Sequence, residues 1–139
     1  MLDVSFSWKR PDNLGVTNGR LAPCRRTPNC VCSQADPADA EHYIAAIPFK
    51  GDAMAAVRRA VTATPRTTVI TERENYLYAE FRSRLLGFVD DVEFFFDGSA
   101  IQVRSASRLG RRDFGVNRKR IEKLRALLSR QAIPITQKP

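Results

Sequence analysis

The sequence predicts an α+β fold: a four-stranded antiparallel sheet, two helices packed on one of its faces, and an irregular N-terminal arm. Three observations carry this. Four strand-like runs follow one another between residues 67 and 106. Short turns join them, which suits hairpins and not parallel crossovers. One helical run precedes the group and one follows it.

At 139 residues the chain reads as a single domain, with residues 1–41 as the arm and 42–133 as the α+β unit. The arm is rich in Pro, Gly, Asn and Cys and shows no sustained period. "HYIAAIPF" (42–49) reads as a short extended piece. "GDAMAAVRRAVTATP" is helical, with Asp52 as N-cap, Met54, Val57 and Val61 on one face, and Pro65 as the stop. "TTVITER" (67–73) turns through Glu74-Asn75 into "YLYAEFRS" (76–83). "FVDDVEFFF" (88–96) turns through Asp97-Gly98-Ser99 into "AIQVRSA" (100–106). The last helix spans about Asn117 to Gln131. Val116, Ile121, Leu124, Leu127 and Leu128 form an apolar arc of about 140° on it.

A period of two assigns the sheet faces. Leu77, Ala79 and Phe81 share one face with Val92, Phe94, Ile101 and Val103. Glu80, Arg82, Asp91, Glu93, Gln102 and Arg104 fall on the other. That polar face is either solvated, with weak cross-strand pairs, or a site roofed by the arm. Asp90 breaks the pattern by falling on the apolar face. A buried carboxylate needs a partner, and Arg120 lies within the helix's apolar arc, so a structural Asp90–Arg120 ion pair is expected.

Charge is concentrated near the C-terminus. Residues 104–130 hold ten of the 23 Lys and Arg but only two of the 15 acidic residues, and the chain's formal net charge is +8. Arg108, Arg111 and Arg112 fall in the loop after the fourth strand. Lys119, Lys123 and Arg130 flank one side of the helix, and Arg118 and Arg125 the other. A basic helix back is the ordinary meaning of such a run. Single-strand nucleic-acid modules also want aromatics among the cations, and Phe114 is the only one after residue 97. In the loop, Ser105, Ser107, Asp113 and Asn117 can cap backbone groups. Gly110 and Gly115 admit positive φ. A basic, glycine-bearing loop entering a helix is a fair anion cradle.

Cys24, Cys30 and Cys32 leave three alternatives open: free thiols, a Cys24–Cys30 disulfide, or a zinc site completed by His42. The C-x5-C-x-C-x9-H spacing is not a standard zinc pattern. His42 is the only histidine, and no nucleophile signature accompanies it. Glu80 and Glu93 are a conceivable glycosidase pair. Neighbouring Arg82 and Arg104 should hold both ionised, which disfavours a general acid. No run is long and apolar enough to span a membrane, and no apolar signal core opens the sequence. The expected location is cytoplasmic by default.

Three stretches, "LGVTNGRLAPCRRTPNCVCS", "GFVDDVEFFF" and "RSASRLGRRDFGVNRKRIEKLR", resemble the domain of unknown function 1499 family over about residues 14–128. Leu14, Gly15, Gly19, Arg20, Leu21, Cys24, Pro28, Asn29, Cys30 and Val31 match the first motif. Arg25 stands where the family has Pro, and Cys32 where it commonly has Ser. Asp90, Asp91 and Glu93 match the second. Arg104, Ser105, Ser107, Arg108, Gly110, Asp113, Gly115, Asn117, Arg118 and Arg120 match the third. The resemblance implies no established activity. Exported and membrane-tethered relatives would favour the Cys24–Cys30 disulfide and leave the cytoplasmic default in question.

The expected function is therefore a non-catalytic binding or accessory domain for a small anionic ligand or a protein partner, without cofactor or metal. Its expected site combines Glu80, Arg82, Asp91, Glu93, Arg104, Ser105, Ser107, Arg108, Asp113, Asn117 and Arg118. The alternatives are a carboxylate-based hydrolase and nucleic-acid binding through the basic helix.

Overall fold

The computed structural model of the protein describes residues 9–85, 87–110 and 113–132. Arg111, Arg112 and the first eight residues of the arm lie outside the described residues. The fold is α+β, with a mostly buried antiparallel sheet of six strands instead of four. They are β1 (Cys30–Cys32), β2 (Ile47–Pro48), β3 (Thr67–Arg73), β4 (Tyr76–Arg82), β5 (Val89–Phe96) and β6 (Ala100–Ser107). Helix α1 (Ala53–Thr62) lies between β2 and β3, and α2 (Val116–Ala132) follows β6. The sheet order is β1-β6-β5-β4-β3, and β2 also pairs with β6.

The two extra strands come from segments without a sequence period. Cys30, Val31 and Cys32 pair with Ala106, Ser105 and Arg104, so the arm is not wholly irregular. Ile47 and Pro48 pair with Ile101 and Ala100. Runs of three and two residues are too short to show alternation, and their partner lies more than fifty residues away. Proline fits β2 because an edge strand can spare a donor.

The hairpins and helices form for local reasons. Asp97 Oδ1 accepts from the backbone N–H of Ser99 and Ala100, both at 2.9 Å, closing the β5–β6 turn. Asp52 caps α1 by accepting from Ala55 N. Asp113 Oδ2 accepts from Asn117 N at 3.0 Å and secures the start of α2.

The core lies on the helix side of the sheet. Leu77, Ala79, Phe81, Val92, Phe94, Ile101 and Val103 meet Met54, Val57 and Val61 of α1 and Ile121, Leu124 and Leu128 of α2. Each large side chain so buried contributes about 1.5–3 kcal/mol. Leu127 is only partly buried against this core. Val116, expected in the apolar arc, is 45% exposed at the first position of the helix.

Candidate functional site

The polar face of the sheet is not solvated. Glu80, Asp91, Glu93 and Arg104 are all buried, and Glu93 is 0% exposed. Register explains the grouping: Glu80 pairs with Asp91 across β4–β5, and Glu93 with Arg104 across β5–β6. Alternation alone would leave these side chains in water. The arm covers them.

Arg108, just after β6, is the hub. Its Nε donates to Asp91 Oδ2 at 2.9 Å, and its Nη2 reaches Asp91 Oδ1 and Glu80 Oε2, both at 2.8 Å. The Tyr78 hydroxyl donates to Asp91 Oδ1 at 2.5 Å and accepts from Arg108 Nη2 at 3.3 Å. From the arm, Arg10 Nη2 donates to Glu80 Oε2 at 2.8 Å. Burial works against the charge on Glu80, but Arg10 and Arg108 hold its carboxyl below the ordinary range. Burial likewise opposes the charge on Arg108, yet Asp91 and its other partners raise its pKa.

Glu93 differs. Its Oε2 accepts from Gly15 N at 2.7 Å and from the Tyr76 hydroxyl at 2.6 Å. Its Oε1 has no hydrogen-bond donor among the described residues, and neither has Arg104 Nε an acceptor. Arg104 Nη1 stands 3.9 Å from Oε1, too far for a hydrogen bond. Burial pushes the Glu93 carboxyl up, against the expectation that Arg104 keeps it strongly ionised. Gly15 reaches Glu93 with φ +103, a conformation that favours glycine.

The expected site splits into two clusters on opposite faces. Glu80, Asp91, Glu93, Arg104 and Arg108 meet under the arm. Arg82 stays at its edge, 50% exposed and 3.8 Å from Glu80. Ser105, Ser107, Asp113 and Asn117 tie the start of α2 to β6 and the arm. Asn117 Nδ2 donates to Asp113 Oδ2, Ser107 Oγ and Asn29 O, and Asn117 Oδ1 accepts from Ser105 Oγ at 2.6 Å. Arg118 points elsewhere, to the carbonyls of Ala40 and Glu41. Arg120 Nη2 lies 2.7 Å from Asp90 Oδ2, and the guanidinium sits 5.0 Å above the Phe81 ring.

Cys24 and Cys30 form a disulfide, and Cys32 is a buried free thiol. The bridge takes two of the three thiols away from any zinc site. Among the described residues no group of three His, Cys, Asp or Glu side chains is placed to hold a metal. His42 is committed to structure, with Nδ1 2.8 Å from Asp39 Oδ2 and Nε2 2.9 Å from Thr27 O. Among the described residues no helix is long and apolar enough to cross a membrane.

The family model for a protein of unknown function (DUF1499) matches residues 20–128. The chain belongs to that family. A search of curated proteins finds no match. The DUF1499 match contains the whole sheet but begins after Arg10 and Gly15, which touch the buried carboxylates from outside it. Neither was expected at the site: Gly15 entered only as a motif match, and nothing local marks Arg10. Tyr76 and Tyr78 were legible: alternation places them on the polar face, where a hydroxyl is a natural donor to a carboxylate.

A cavity of about 460 Å³ opens between the arm and this face of the DUF1499 sheet. Lys9, Arg10, Arg25, Arg104 and Arg108 line it, with Asp12 and Asp91 as the only acidic lining residues among those described. Lys9 and Arg25 are exposed cations at its mouth. Neither was expected at the site.

Proposed function

We propose that this domain is a non-catalytic binding module that holds a small anion in the cavity beneath the arm. The observation that carries this is Arg104, which lines the cavity, is 5% exposed and has no acceptor for its Nε among the described residues. Leaving such a donor unsatisfied costs about 1–3 kcal/mol. Glu93 matches the guanidinium only loosely, at 3.9 Å, which leaves its charge for a carboxylate or phosphate in the cavity. The positive balance of the lining supports an anion, and the cavity's size falls in the range of small-molecule sites.

The carboxylates support binding over hydrolysis. Glu80 and Asp91 both accept from Arg108, and both accept further donors. Their oxygens are engaged in holding the face together and are poorly placed to exchange protons with a substrate. The Cys24–Cys30 disulfide supports work in an oxidising compartment.

Thermal unfolding with inorganic phosphate and with citrate tests the proposal. Either anion should raise the Tm of wild type and leave Arg104→Ala unchanged. A Lys9→Ala/Arg25→Ala variant, altered only at exposed side chains, should also lose the response. An equal rise in all three proteins, or no rise in wild type, would overturn the placement.

A further inference from the structure

The largest cavity described, about 630 Å³, lies on the helix side of the sheet, away from the arm. It runs between α2, the end of α1 and the end of β4. Phe81, Leu124, Leu127 and Val116 give it apolar lining, and Val116 is left 45% exposed there. Arg66, Arg82, Lys119, Lys123 and Arg130 surround it, and among the described residues no carboxylate lines it.

These cations differ from those committed to holding the fold. Arg10, Arg104, Arg108, Arg118, Arg120 and Arg125 are held by carboxylates or carbonyls. Arg66, Lys119, Lys123 and Arg130 are exposed, and their side chains have no ion-pair or hydrogen-bond partner among the described residues. Arg82 has only the distant contact with Glu80 at 3.8 Å. Helical spacing puts Lys119 and Lys123 one turn apart on one side of α2, with Ala126 and Leu127 the next turn along. Lys9, Arg25, Arg26, Lys50, Arg73 and Arg84 are also exposed without such partners among the described residues, but the five cations here surround one apolar groove.

We infer that this groove binds a single-chain amphipathic anion, a fatty carboxylate or a monoalkyl phosphate. Its chain would lie over Val116, Ala126 and Leu127, and its head would meet Lys119 and Lys123. An apolar lining alone would accept any hydrocarbon, and cations alone would accept any anion. The two together select a molecule that carries both features. The site is separate from the arm cavity and does not depend on it.

Calorimetric titration with free dodecanoate below its micelle concentration tests this, with circular dichroism to confirm folding of each variant. Dodecanoate should bind saturably with one site. Dodecyltrimethylammonium, which has the same chain and the opposite charge, should not bind. Inorganic phosphate should not displace dodecanoate. Lys119→Glu/Lys123→Glu should weaken binding about tenfold or more. Ala126→Trp, which fills the groove and keeps every cation, should do the same. Lys9→Ala/Arg25→Ala should bind dodecanoate like wild type. Equal binding of the ammonium compound, or unchanged affinity in either groove variant, would overturn the inference. Loss of dodecanoate binding in Lys9→Ala/Arg25→Ala would assign the ligand to the arm cavity and also overturn it. Sedimentation with phosphatidylglycerol vesicles and no binding of free dodecanoate would mark this face as a membrane surface and overturn the groove.

Discussion

The two faces of the sheet are both buried, but by covers of different kind. Helices cover one, and the irregular arm covers the other. The helix-covered face is apolar except near the start of α2, where Asp90, Arg120, Ser105 and Asn117 meet. The arm-covered face is charged nearly throughout. A helix uses its own backbone groups in its ladder and leaves free ones only at its ends. It can therefore satisfy buried polar side chains only there. An irregular segment has backbone groups to spare. The arm spends them on the sheet: Gly15 N donates to Glu93, and Pro23 O accepts from Arg104. The contrast teaches that the kind of cover decides which face can carry charge.

The sharpest way to break this contrast is Arg108→Ala. It strips Asp91 and Glu80 of their shared partner, and loss of one member of a buried pair costs about 3–5 kcal/mol. Arg120→Ala leaves one carboxylate, Asp90, at a less buried junction. Urea unfolding should show the larger loss for Arg108→Ala. Equal losses would mean that the arm face is no more dependent on its charges than the helix face.

Removing the bridge with Cys24→Ala/Cys30→Ala should lower stability by about 2 kcal/mol, given the short loop it closes. The same change should speed amide exchange of Gly15 more than that of Leu124. Tyr78→Phe should cost about 1.5 kcal/mol, because its hydroxyl hydrogen-bonds a charged group. The matching loss on the helix face, from Ser105→Ala, should be smaller, since its hydroxyl donates to the neutral Asn117 side chain and its bond to charged Arg120 is long, at 3.2 Å.

The smallest effect is on pH. Burial lowers the pKa of His42, but its hydrogen bonds to Asp39 and the Thr27 carbonyl raise it more, and the net direction is up. A raised folded-state value means stabilisation that is complete below the unfolded pKa of about 6.5 and is lost as pH rises through the folded value. His42→Gln should flatten stability over that window. Asp97 gives the opposite sign. Backbone N–H donors hold it at about 2. Its contribution is present above about 3.9 and is lost as pH falls toward that lower value. Asp97→Asn should make acid unfolding less steep.

Much of the fold was legible because it rests on local periods. Alternation along β4, β5 and β6 sorted the core side chains from the polar ones. Asp52, Pro65 and Asp97 marked ends and turns through bonds made within a few residues. Asp90 was visible as a charge on the wrong side of its strand, and the helix pattern offered Arg120 to it. The membership of the candidate site was less legible. Ser105 and Asn117 looked like companions of Arg104 in sequence, yet one step along a strand moves a side chain to the opposite face. Val116 carried the helical period but, as the first residue of α2, stays 45% exposed.

The amino-acid order by itself determined the two helices, the four long strands and the faces of that sheet, because each follows from contacts among near neighbours. Only the tertiary structure decided that Cys30–Cys32 and Ile47–Pro48 join β6, that Cys24 takes Cys30, and that Arg10 and Gly15 close over Glu80 and Glu93. Those contacts link short segments without a period, most of them across fifty to eighty residues. What selects them is the requirement that buried charges find partners, and that requirement exists only once the sheet has formed.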